Sequence, residues 1–568
     1  MKKKILYLLL LAIFLSFVTG CKGPDGNNAE TTQPAENDQL LTIVENKQTN
    51  FIIIFPEDAD QKVVNAAMNI RSAIGTYTTN KPKYATDFPK NYNKDNYEIL
   101  VGRTNYDETS SAMESLAYGD YIIKIDGNKI VIAGWENNAI AAGCDAFIKL
   151  IKSVKDDDGN IALPKDFRVV EEHNKEVNNL KANDIRGSYA SVSDTGDQCY
   201  LLSIKDVNKD TYEQYVKKLK EGGYQTYAEN QIKENSFVTF TTEKNVVNVI
   251  YSQYNSTLRI ITEPLKYTAL PDLSADNQYN KVTDSLVISV GLAPDSETKK
   301  TNGMCYVFRL ADGSFIIYDG GWDSGEYADR LYNVLKTYAP DPNNIVISAW
   351  LFTHPHTDHI GAFKPFTSAY KDRVKVERFI YNMPNDDTMS SFNILDRVSG
   401  FYLSVDKYSG AKVIKAHPGQ KFYIKNAELE ILFTLDLYDK EVLDEVNTSS
   451  VISKLTIDGQ TFLMLGDMST SSNSIVRKMY EDYLKSDFVQ VAHHGAEGGS
   501  TSFYNFVKPS YVLWPASTVL FEETKSNDRN SYFFNERNNV KKIFVAKYQN
   551  IVIKLPYDGQ NEVVIPLS

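Results

Sequence analysis

The sequence predicts a multidomain α/β protein whose largest domain occupies the C-terminal half of the chain. At 568 residues, the chain is long enough for about two to four domains. Strand and helix patterns alternate throughout, and they become denser from about residue 285. In that region two buried strands lead into loops rich in histidine. The chain holds only seven histidines, and five of them lie in these two loops, which indicates a site shared by the loops.

The first 39 residues are predicted to lie outside the folded domains. Three lysines precede a short apolar run, so residues 1–20 are typical of a secretory signal peptide. Val18 to Cys21 resembles a bacterial lipobox, in which Cys21 would carry the lipid. The polar segment 21–39 suits a flexible linker. We therefore expect an extracytoplasmic bacterial lipoprotein that contacts the membrane through its lipid anchor only. The alternative is an ordinary signal peptide with a chance cysteine.

Composition narrows the function classes. The formal net charge is −12, and removal of the lysine-rich signal would make it more negative. This balance disfavours a protein devoted to nucleic acid, although a local basic groove is compatible with it. The remaining cysteines, Cys144, Cys199 and Cys305, are odd in number and far apart. We expect buried small side chains there rather than disulfides.

Two small α+β domains are predicted ahead of the C-terminal domain. Residues 40–172 combine short strands, a helix over 60–77, an Asp-Gly hairpin and a closing helix. The order of these pieces resembles accessory domains of extracellular carbohydrate-active enzymes, which implies a glycan setting. A charged linker around His173 follows, and we expect His173 at the surface. Residues 184–272 predict a helix packed on an antiparallel sheet, with no catalytic constellation.

The third domain, residues 286–568, delivers polar side chains from the ends of buried strands. A strand over 346–352 leads into His354-Pro355-His356-Thr357-Asp358-His359. A hairpin over 451–465 ends in Gly466-Asp467, and a strand over 488–492 leads into His493 and His494. Loops that leave buried strands can converge at one edge of a sheet, so these side chains are candidates for a single site.

The spacing of these side chains fits a centre with two divalent metals. Alternate residues of an extended loop point the same way, so His354 and His356 can face one ion. Asp358 and His359 follow where the chain should turn into a helix, and they can face a second ion. Imidazole and carboxylate suit zinc, and a site poor in histidine also suits manganese. The predicted ligands are His354, His356, Asp358, His359, the bridging Asp467, and His493 or His494.

These motifs resemble the metallo-β-lactamase superfamily over about residues 286–568. Four motifs occur in the family order: Asp319-Gly320-Gly321, His354 to His359, Gly466-Asp467 and His493-His494-Gly495. The blocks TSSVISKLTIDGQTFLMLGDM and FVQVAHHGAEGGSTSFY are most similar to the ComEC-like branch and also similar to surface phosphorylcholine esterases. The resemblance implies a four-layer αβ/βα fold with paired metals. It also implies that Asp319 supports the histidine loop from behind.

Two points depart from the family pattern or stay open. Many members place a further histidine ligand before the bridging aspartate, and the only histidine there is His417. We expect His417 at the surface or in a turn, which would leave one metal site short of a protein ligand. In a regular strand His493 and His494 would face opposite sides, and we expect His493 to be the ligand. A bend before Gly495 would admit both.

The expected reaction is hydrolysis by a hydroxide held between two metals. Asp358 would orient it, and His493 or His494 would protonate the leaving group. The resemblance favours a phosphodiester, small or polymeric, in a phosphorylated glycan, a teichoic-acid-type polymer or a nucleic acid. The alternatives are amide, lactone or β-lactam hydrolysis, and a glycan-binding lipoprotein with a vestigial metal site. Ser500, Thr501 and Ser502 could contact substrate, although a polar loop is the simpler expectation.

Overall fold

The computed structural model describes residues 39–567, with gaps at 90–92, 115, 117–118, 172–181, 183–184, 186, 188, 275–278, 294–297 and 441–442. The predicted signal peptide, Cys21 and His173 lie outside the described residues. Within the described part, no helix is both long and apolar enough to span a membrane. Cys144, Cys199 and Cys305 are buried free thiols.

The first folded unit is a six-stranded mixed sheet, with two long helices packed on one face and a short helix on the other. Its strands are β1 (Leu40–Val44), β2 (Ile52–Phe55), β3 (Lys83–Thr86), β4 (Glu98–Val101), β5 (Tyr121–Asp126), β6 (Lys129–Gly134), β7 (Ile161–Pro164) and β8 (Arg168–Glu171). Its helices are α1 (Gln61–Gly75), α2 (Asp107–Met113) and α3 (Asn137–Val154). The sheet order is β3-β2-β4-β6-β5-β8, while β1 and β7 pair separately. Val63, Ala67, Ile70 and Ile74 form the buried face of α1, as their helical spacing predicts.

The second unit is a six-stranded antiparallel sheet with one helix. Its strands are β9 (Tyr189–Gly196), β10 (Cys199–Lys205), β11 (Gln225–Ile232), β12 (Asn235–Thr241), β13 (Asn245–Ser252) and β14 (Thr257–Pro264), and its helix is α4 (Lys209–Glu221). The order is β11-β12-β13-β14-β10-β9.

The C-terminal half contains two mixed sheets. Its strands are β15 (Leu286–Ser289), β16 (Cys305–Arg309), β17 (Phe315–Asp319), β18 (Ile345–Leu351), β19 (Val374–Val376), β20 (Arg378–Tyr381), β21 (Lys412–Lys415), β22 (Lys421–Ile424), β23 (Ala427–Phe433), β24 (Ile452–Ile457), β25 (Gln460–Met464), β26 (Phe488–Gln490), β27 (Tyr511–Trp514), β28 (Lys542–Val545), β29 (Gln549–Lys554) and β30 (Glu562–Pro566). The nine-stranded sheet has the order β21-β20-β18-β17-β16-β15-β29-β30, with β19 beside β18. The seven-stranded sheet runs from β22 to β28 in sequence order.

Short helices connect these strands. They are α5 (Gly325–Tyr338), α6 (Thr357–Ile360), α7 (Phe363–Tyr370), α8 (Asp386–Ser391), α9 (Leu395–Val405), α10 (Thr470–Tyr480), α11 (Thr501–Val507) and α12 (Thr518–Thr524). Single 3-10 turns in the chain are Gln253–Asn255, Lys371–Arg373, Leu435–Leu437, Val446–Ser449, Glu481–Leu484, Ala492–Gly495, Asp528–Phe534 and Glu536–Asn538.

The two C-terminal sheets pack face to face between outer helices. Apolar residues from both sheets, such as Phe308 and Phe462, share one core and stack edge to face. The outer face of the nine-stranded sheet packs on α5, α7 and α9. The outer face of the other sheet packs on α10, α11 and α12. These four layers confirm the predicted fold class.

The second unit lies between the other two. Residues on one face of its sheet, such as Leu202 and Val249, share a core with Leu100 of the first unit. Residues on the opposite face, such as Phe237 and Ile250, share a core with the C-terminal half. Both faces of this sheet are therefore covered by neighbouring units, and the three units form one packed body.

The strand directions place the candidate site. β17 and β18 run parallel, so Asp319 and the loop after Leu351 lie at the same end of their sheet. β25 and β26 also run parallel, so Asp467 and the histidine pair leave the second sheet together. The carboxyl ends of parallel strands are the common location of active sites in α/β folds.

Candidate metal centre

The His354–His359 loop turns from extended chain into helix where the spacing predicts. Extended residues after β18 carry His354, and His356 precedes the first turn of α6. Asp358 and His359 lie within that turn and are buried. The backbone N–H groups of His359 and Ile360 donate to the carbonyl of His356. The loop therefore presents two pairs of candidate ligands in different directions.

One cluster contains two carboxylates and two imidazoles. Nε2 of His494 lies 3.1 Å from Oδ2 of Asp358 and 3.4 Å from Oδ1 of Asp467. Nε2 of His359 lies 3.1 Å from Oδ1 of Asp467 and 3.3 Å from Nε2 of His494. Ligand atoms from all four side chains lie within 4.8 Å of one another, close enough to share one cation.

A second cluster contains three side chains and shares Asp467 with the first. Nε2 of His354 lies 3.1 Å from Nδ1 of His356 and 3.7 Å from Oδ2 of Asp467. The two oxygens of Asp467 therefore face different clusters, as a bridging carboxylate requires. With three protein groups, this second cluster leaves coordination positions for water or substrate.

Asp319 lies behind the loop and fixes one imidazole. It is fully buried, with its backbone in the left-handed region at a φ of 57°. Its Oδ2 accepts hydrogen bonds from Nδ1 of His359 at 2.7 Å and from the Thr353 hydroxyl at 2.8 Å. The Thr353 N–H donates to Oδ1 at 2.8 Å. These bonds leave Nε2 of His359 facing the cluster, which is how carboxylates orient metal-ligating imidazoles.

The histidine pair lies on a turn rather than on a regular strand. β26 ends at Gln490, and both His493 and His494 have left-handed backbones. The Nδ1–H of His494 donates to the Pro515 carbonyl at 2.7 Å, and its Nε2 lies in the four-residue cluster. His493 is 24% exposed, and its Nε2 is 3.8 Å from Oδ2 of Asp467. The four-residue cluster therefore contains His494 rather than the expected His493, because the turn removes strand alternation.

Neighbouring amides contact the cluster and were missed from the sequence. Nδ2 of Asn302 donates to Oδ2 of Asp358 at 2.7 Å. Nδ2 of Asn447 lies 3.4 Å from both ring nitrogens of His493, and its buried Oδ1 accepts from no described donor. Both asparagines lie in loops with no distinctive spacing. The only available signal for Asn447 is its position just before a hairpin that ends in Asp467.

The carboxylates and imidazoles of the site lie close enough to shift each other's pKa values. Burial would raise the pKa of Asp467, but His359 and His494 outweigh burial and hold it well below the usual value. Burial would lower the pKa of His494, but Asp467 and Asp358 outweigh burial and raise it to about 9. Burial lowers the pKa of His354, which favours the neutral imidazole that metals require.

The residues present fit a divalent cation. Oδ1 of Asp467 is buried without a hydrogen bond of acceptable geometry, although two imidazoles lie close to it. A buried carboxylate oxygen in that state is costly unless a cation pairs with it. Neutral imidazole and carboxylate are the donor set that zinc and related ions use. The buried cluster is therefore capable of holding metal.

His417 begins a turn, as one of the two expectations held, because its carbonyl accepts from the Gln420 N–H, but it is not at the surface. It is fully buried between the second unit and the C-terminal half. Its Nδ1 lies 2.7 Å from Oδ2 of Asp436, and its Nε2 lies 3.1 Å from Oδ1 of Glu263 on β14. Burial would lower its pKa, but these two carboxylates raise it to about 9. His417 therefore joins two units and is not a metal ligand of the described clusters.

The serine-rich segment forms a helix start. The Ser500 hydroxyl accepts from the Phe503 N–H and caps α11, while the Thr501 hydroxyl donates to the Asp528 carbonyl. These contacts give the segment a structural role.

A family comparison matches a segment of the C-terminal half. The model of the metallo-beta-lactamase superfamily matches residues 299–501. These residues form a domain of the metallo-beta-lactamase superfamily. The match includes Asp319 and every candidate ligand, and its fold is the four-layer arrangement described above. No curated protein matches the chain.

Several solved structures resemble the metallo-beta-lactamase domain at low identity. YhfI from Bacillus subtilis, a metallo-beta-lactamase fold protein, aligns at 13% identity over 48% of this chain and 100% of its own, with a TM-score of 0.30. CmlA from Streptomyces venezuelae, a diiron β-hydroxylase, aligns at 13% identity over 48% of this chain and 54% of its own, with a TM-score of 0.29. Zn²⁺-bound PqqB from Methylobacterium extorquens aligns at 9% identity over 46% of this chain and 86% of its own, with a TM-score of 0.26.

Proposed function

We propose that this chain is a cell-surface, metal-dependent hydrolase that cleaves a phosphodiester. The observation that carries the proposal is a pair of buried clusters that share Asp467, one with four candidate ligands and one with three. Such a pair suits two divalent ions, zinc or manganese, separated by a few ångströms. The three-ligand cluster leaves room for substrate. The lipobox-like segment around Cys21 supports an anchor at the outer face of the membrane.

The chain's own residues would position the reacting groups. When bound, divalent ions supply a nucleophilic hydroxide near neutral pH and counter the charge that develops in the transition state. Asp358, whose Oδ2 accepts a hydrogen bond from the Asn302 side chain, would orient the attacking hydroxide. Both ring nitrogens of His494 are engaged, whereas His493 is partly exposed beside Oδ2 of Asp467. His493 is therefore the better candidate to protonate the leaving group.

The phosphodiester assignment rests on chemistry and on resemblance. The two clusters share the Asp467 carboxylate, and a paired site of this kind would suit an in-line displacement at phosphorus, in which both the attacking and the leaving oxygen carry charge. The similarity of the Asp467 and His493 blocks to the ComEC-like branch and to phosphorylcholine esterases supports the same class. The lipobox-like segment and the resemblance of residues 40–172 to accessory domains of carbohydrate-active enzymes favour a phosphorylated glycan or teichoic-acid-type polymer over nucleic acid.

One comparison of substrates tests the proposal. Protein freed of metal with a chelator should regain hydrolysis of bis-p-nitrophenyl phosphate when zinc or manganese is restored, with about two ions bound per chain. Single-stranded DNA and nitrocefin serve as alternative substrates. Preferential cleavage of nitrocefin would contradict the phosphodiester assignment and favour the alternative of amide, lactone or β-lactam hydrolysis. A chain that binds neither metal would leave a glycan-binding protein with a vestigial site.

Replacement of Asn447 by alanine should lower turnover without removing metal. Nδ2 of Asn447 lies beside both nitrogens of His493, so its loss should free that ring to rotate. We expect a fall of about 10–100-fold in kcat, as for other residues that orient active-site groups. Metal content should stay unchanged. The double variant Asn447→Ala with His493→Ala should be no worse than His493→Ala alone, and additive losses would contradict the assignment.

A further inference from the structure

Trp322 is the one tryptophan with substantial exposure. The chain has four tryptophans, all within described residues. Trp322 is 39% exposed, whereas Trp135 is 5% exposed and Trp350 and Trp514 are fully buried. Single exposed apolar residues are common, so exposure alone assigns no role. What distinguishes Trp322 is its attachment to the candidate metal centre.

The indole is held in place by the segment that supports Asp358. Its Nε1–H donates to the Asn302 carbonyl at 2.7 Å, and the Asn302 side chain donates to Oδ2 of Asp358 at 2.7 Å. A Cβ at Gly303 would lie 3.2 Å from Cδ1 of Trp322, so the absent side chain lets the indole approach the backbone. An aromatic ring fixed in this way loses little entropy when a ligand packs on it.

The backbone of Trp322 also rests on the ligand loop. A Cβ at Gly361 would lie 2.9 Å from the Trp322 carbonyl carbon and 2.4 Å from the Asp323 nitrogen. The Met304 N–H donates to the Asp358 carbonyl at 3.0 Å. The indole is therefore linked to the four-residue cluster through one intervening residue, Asn302, which contacts both Trp322 and Asp358.

We propose that Trp322 stacks on the sugar ring of a glycosyl phosphodiester while the phosphate lies at the metal centre. This proposal rests on the proposed function, which supplies the phosphate, and it adds that a sugar is attached to that phosphate. A pyranose offers an apolar face for the indole and hydroxyl donors at its edge. Asp323, the next residue in the chain, is exposed, and the Asn302 carbonyl already holds the indole N–H. Polar groups therefore accompany the apolar face of Trp322, and this combination suits the hydroxyl groups and the apolar face of a sugar ring.

Fluorescence tests the subsite apart from turnover, because only Trp322 is open to a soluble quencher. Acrylamide quenching of the full chain, with and without zinc, would be measured with glucose 1-phosphate, glycerol 1-phosphate and thymidine 5′-monophosphate. Glucose 1-phosphate should protect the fluorescence, and glycerol 1-phosphate should not. The Trp322→Phe variant should lose both the quenching and the protection.

Kinetics supply the second readout. Trp322→Ala should raise the KM for a glucosyl phosphodiester about three- to tenfold relative to a glyceryl phosphodiester, in line with one aromatic stacking contact. Trp322→Phe should retain most of that preference with little change in thermal unfolding, so it controls for any loss of packing in Trp322→Ala. Protection by the thymidine ester alone would overturn the sugar assignment. Absence of protection by any ester in a hydrolytically active protein would overturn the subsite and leave the proposed function standing. Protection by glucose 1-phosphate in a protein that hydrolyses no phosphodiester would overturn the proposed function and leave the sugar subsite standing.

Discussion

Replacement of Asp467 by asparagine should abolish metal-dependent hydrolysis and remove metal from both clusters. Oδ1 of Asp467 faces His359 and His494, and Oδ2 faces His354. It is the only residue common to both clusters, so one substitution should affect both ions. Asparagine keeps the shape but removes the charge. We expect turnover to fall on the order of a thousandfold or more, as for residues that act as part of one catalytic unit.

Metal content measured by mass spectrometry would test this expectation directly. The Asp467→Asn variant should also lose the rise in thermal stability that zinc or manganese gives the unaltered protein. Asp458→Asn is a matched control, because Asp458 lies in the turn that begins the same β25 strand and its backbone is left-handed, which asparagine tolerates. An Asp467→Asn protein that kept full metal content and turnover would remove Asp467 from the bridging role.

The ligand loops could be predicted because their chemistry is local. His354 to His359 occupy six consecutive positions, and the turn into α6 follows from the spacing itself. Asp467 could be predicted because it follows an apolar strand, and the role of Asp319 was implied by the family resemblance. Parallel pairing places Asp319 near the start of the histidine loop, and Asp467 near the histidine pair. The fold was predicted from the order of the four motifs, and most strands were predicted from their apolar patterns.

What could not be predicted depends on contacts between distant segments. The assignment of His493 assumed strand alternation, whereas a left-handed turn at both histidines decides which ring enters the cluster. Asn447 and Asn302 become neighbours of the site only through loop packing. His417 was expected at the surface or in a turn, and the sequence does not reveal that β14 covers that turn. The apolar sequence of the strands in the second unit likewise does not reveal which units cover the two faces of its sheet.

The buried position of His417 leads to the second large expected effect. Replacement of His417 by alanine should destabilise the protein by about 3–5 kcal/mol, the usual cost of removing one partner from a buried ion pair. Glu263 and Asp436 are each 2% exposed and would face each other without the intervening cation. Asp436 would keep bonds from Thr434 and Asn382, but the charge between the two units would be uncompensated.

The pH dependence of this effect has a definite sign. The pKa of His417 is raised to about 9 in the folded protein from its usual 6.5, so the folded state binds the proton more tightly. Its contribution to stability is complete below pH 6.5 and is lost as the pH rises through about 9. The difference in unfolding midpoint between the unaltered protein and His417→Gln should therefore shrink over that range. Glutamine keeps a donor but carries no charge.

Neutralising a carboxylate separates charge compensation from packing. The double variant Glu263→Gln with His417→Gln carries one buried negative charge instead of two, so it should regain part of the stability lost in His417→Gln. Hydrogen exchange should locate the loss at β14 and at residues 412–424, where the second unit meets the metallo-beta-lactamase domain. Because a multidomain chain need not unfold in one step, the first thermal transition is the relevant one. Equal stability of both variants at every pH would show that packing, rather than charge, holds these units together.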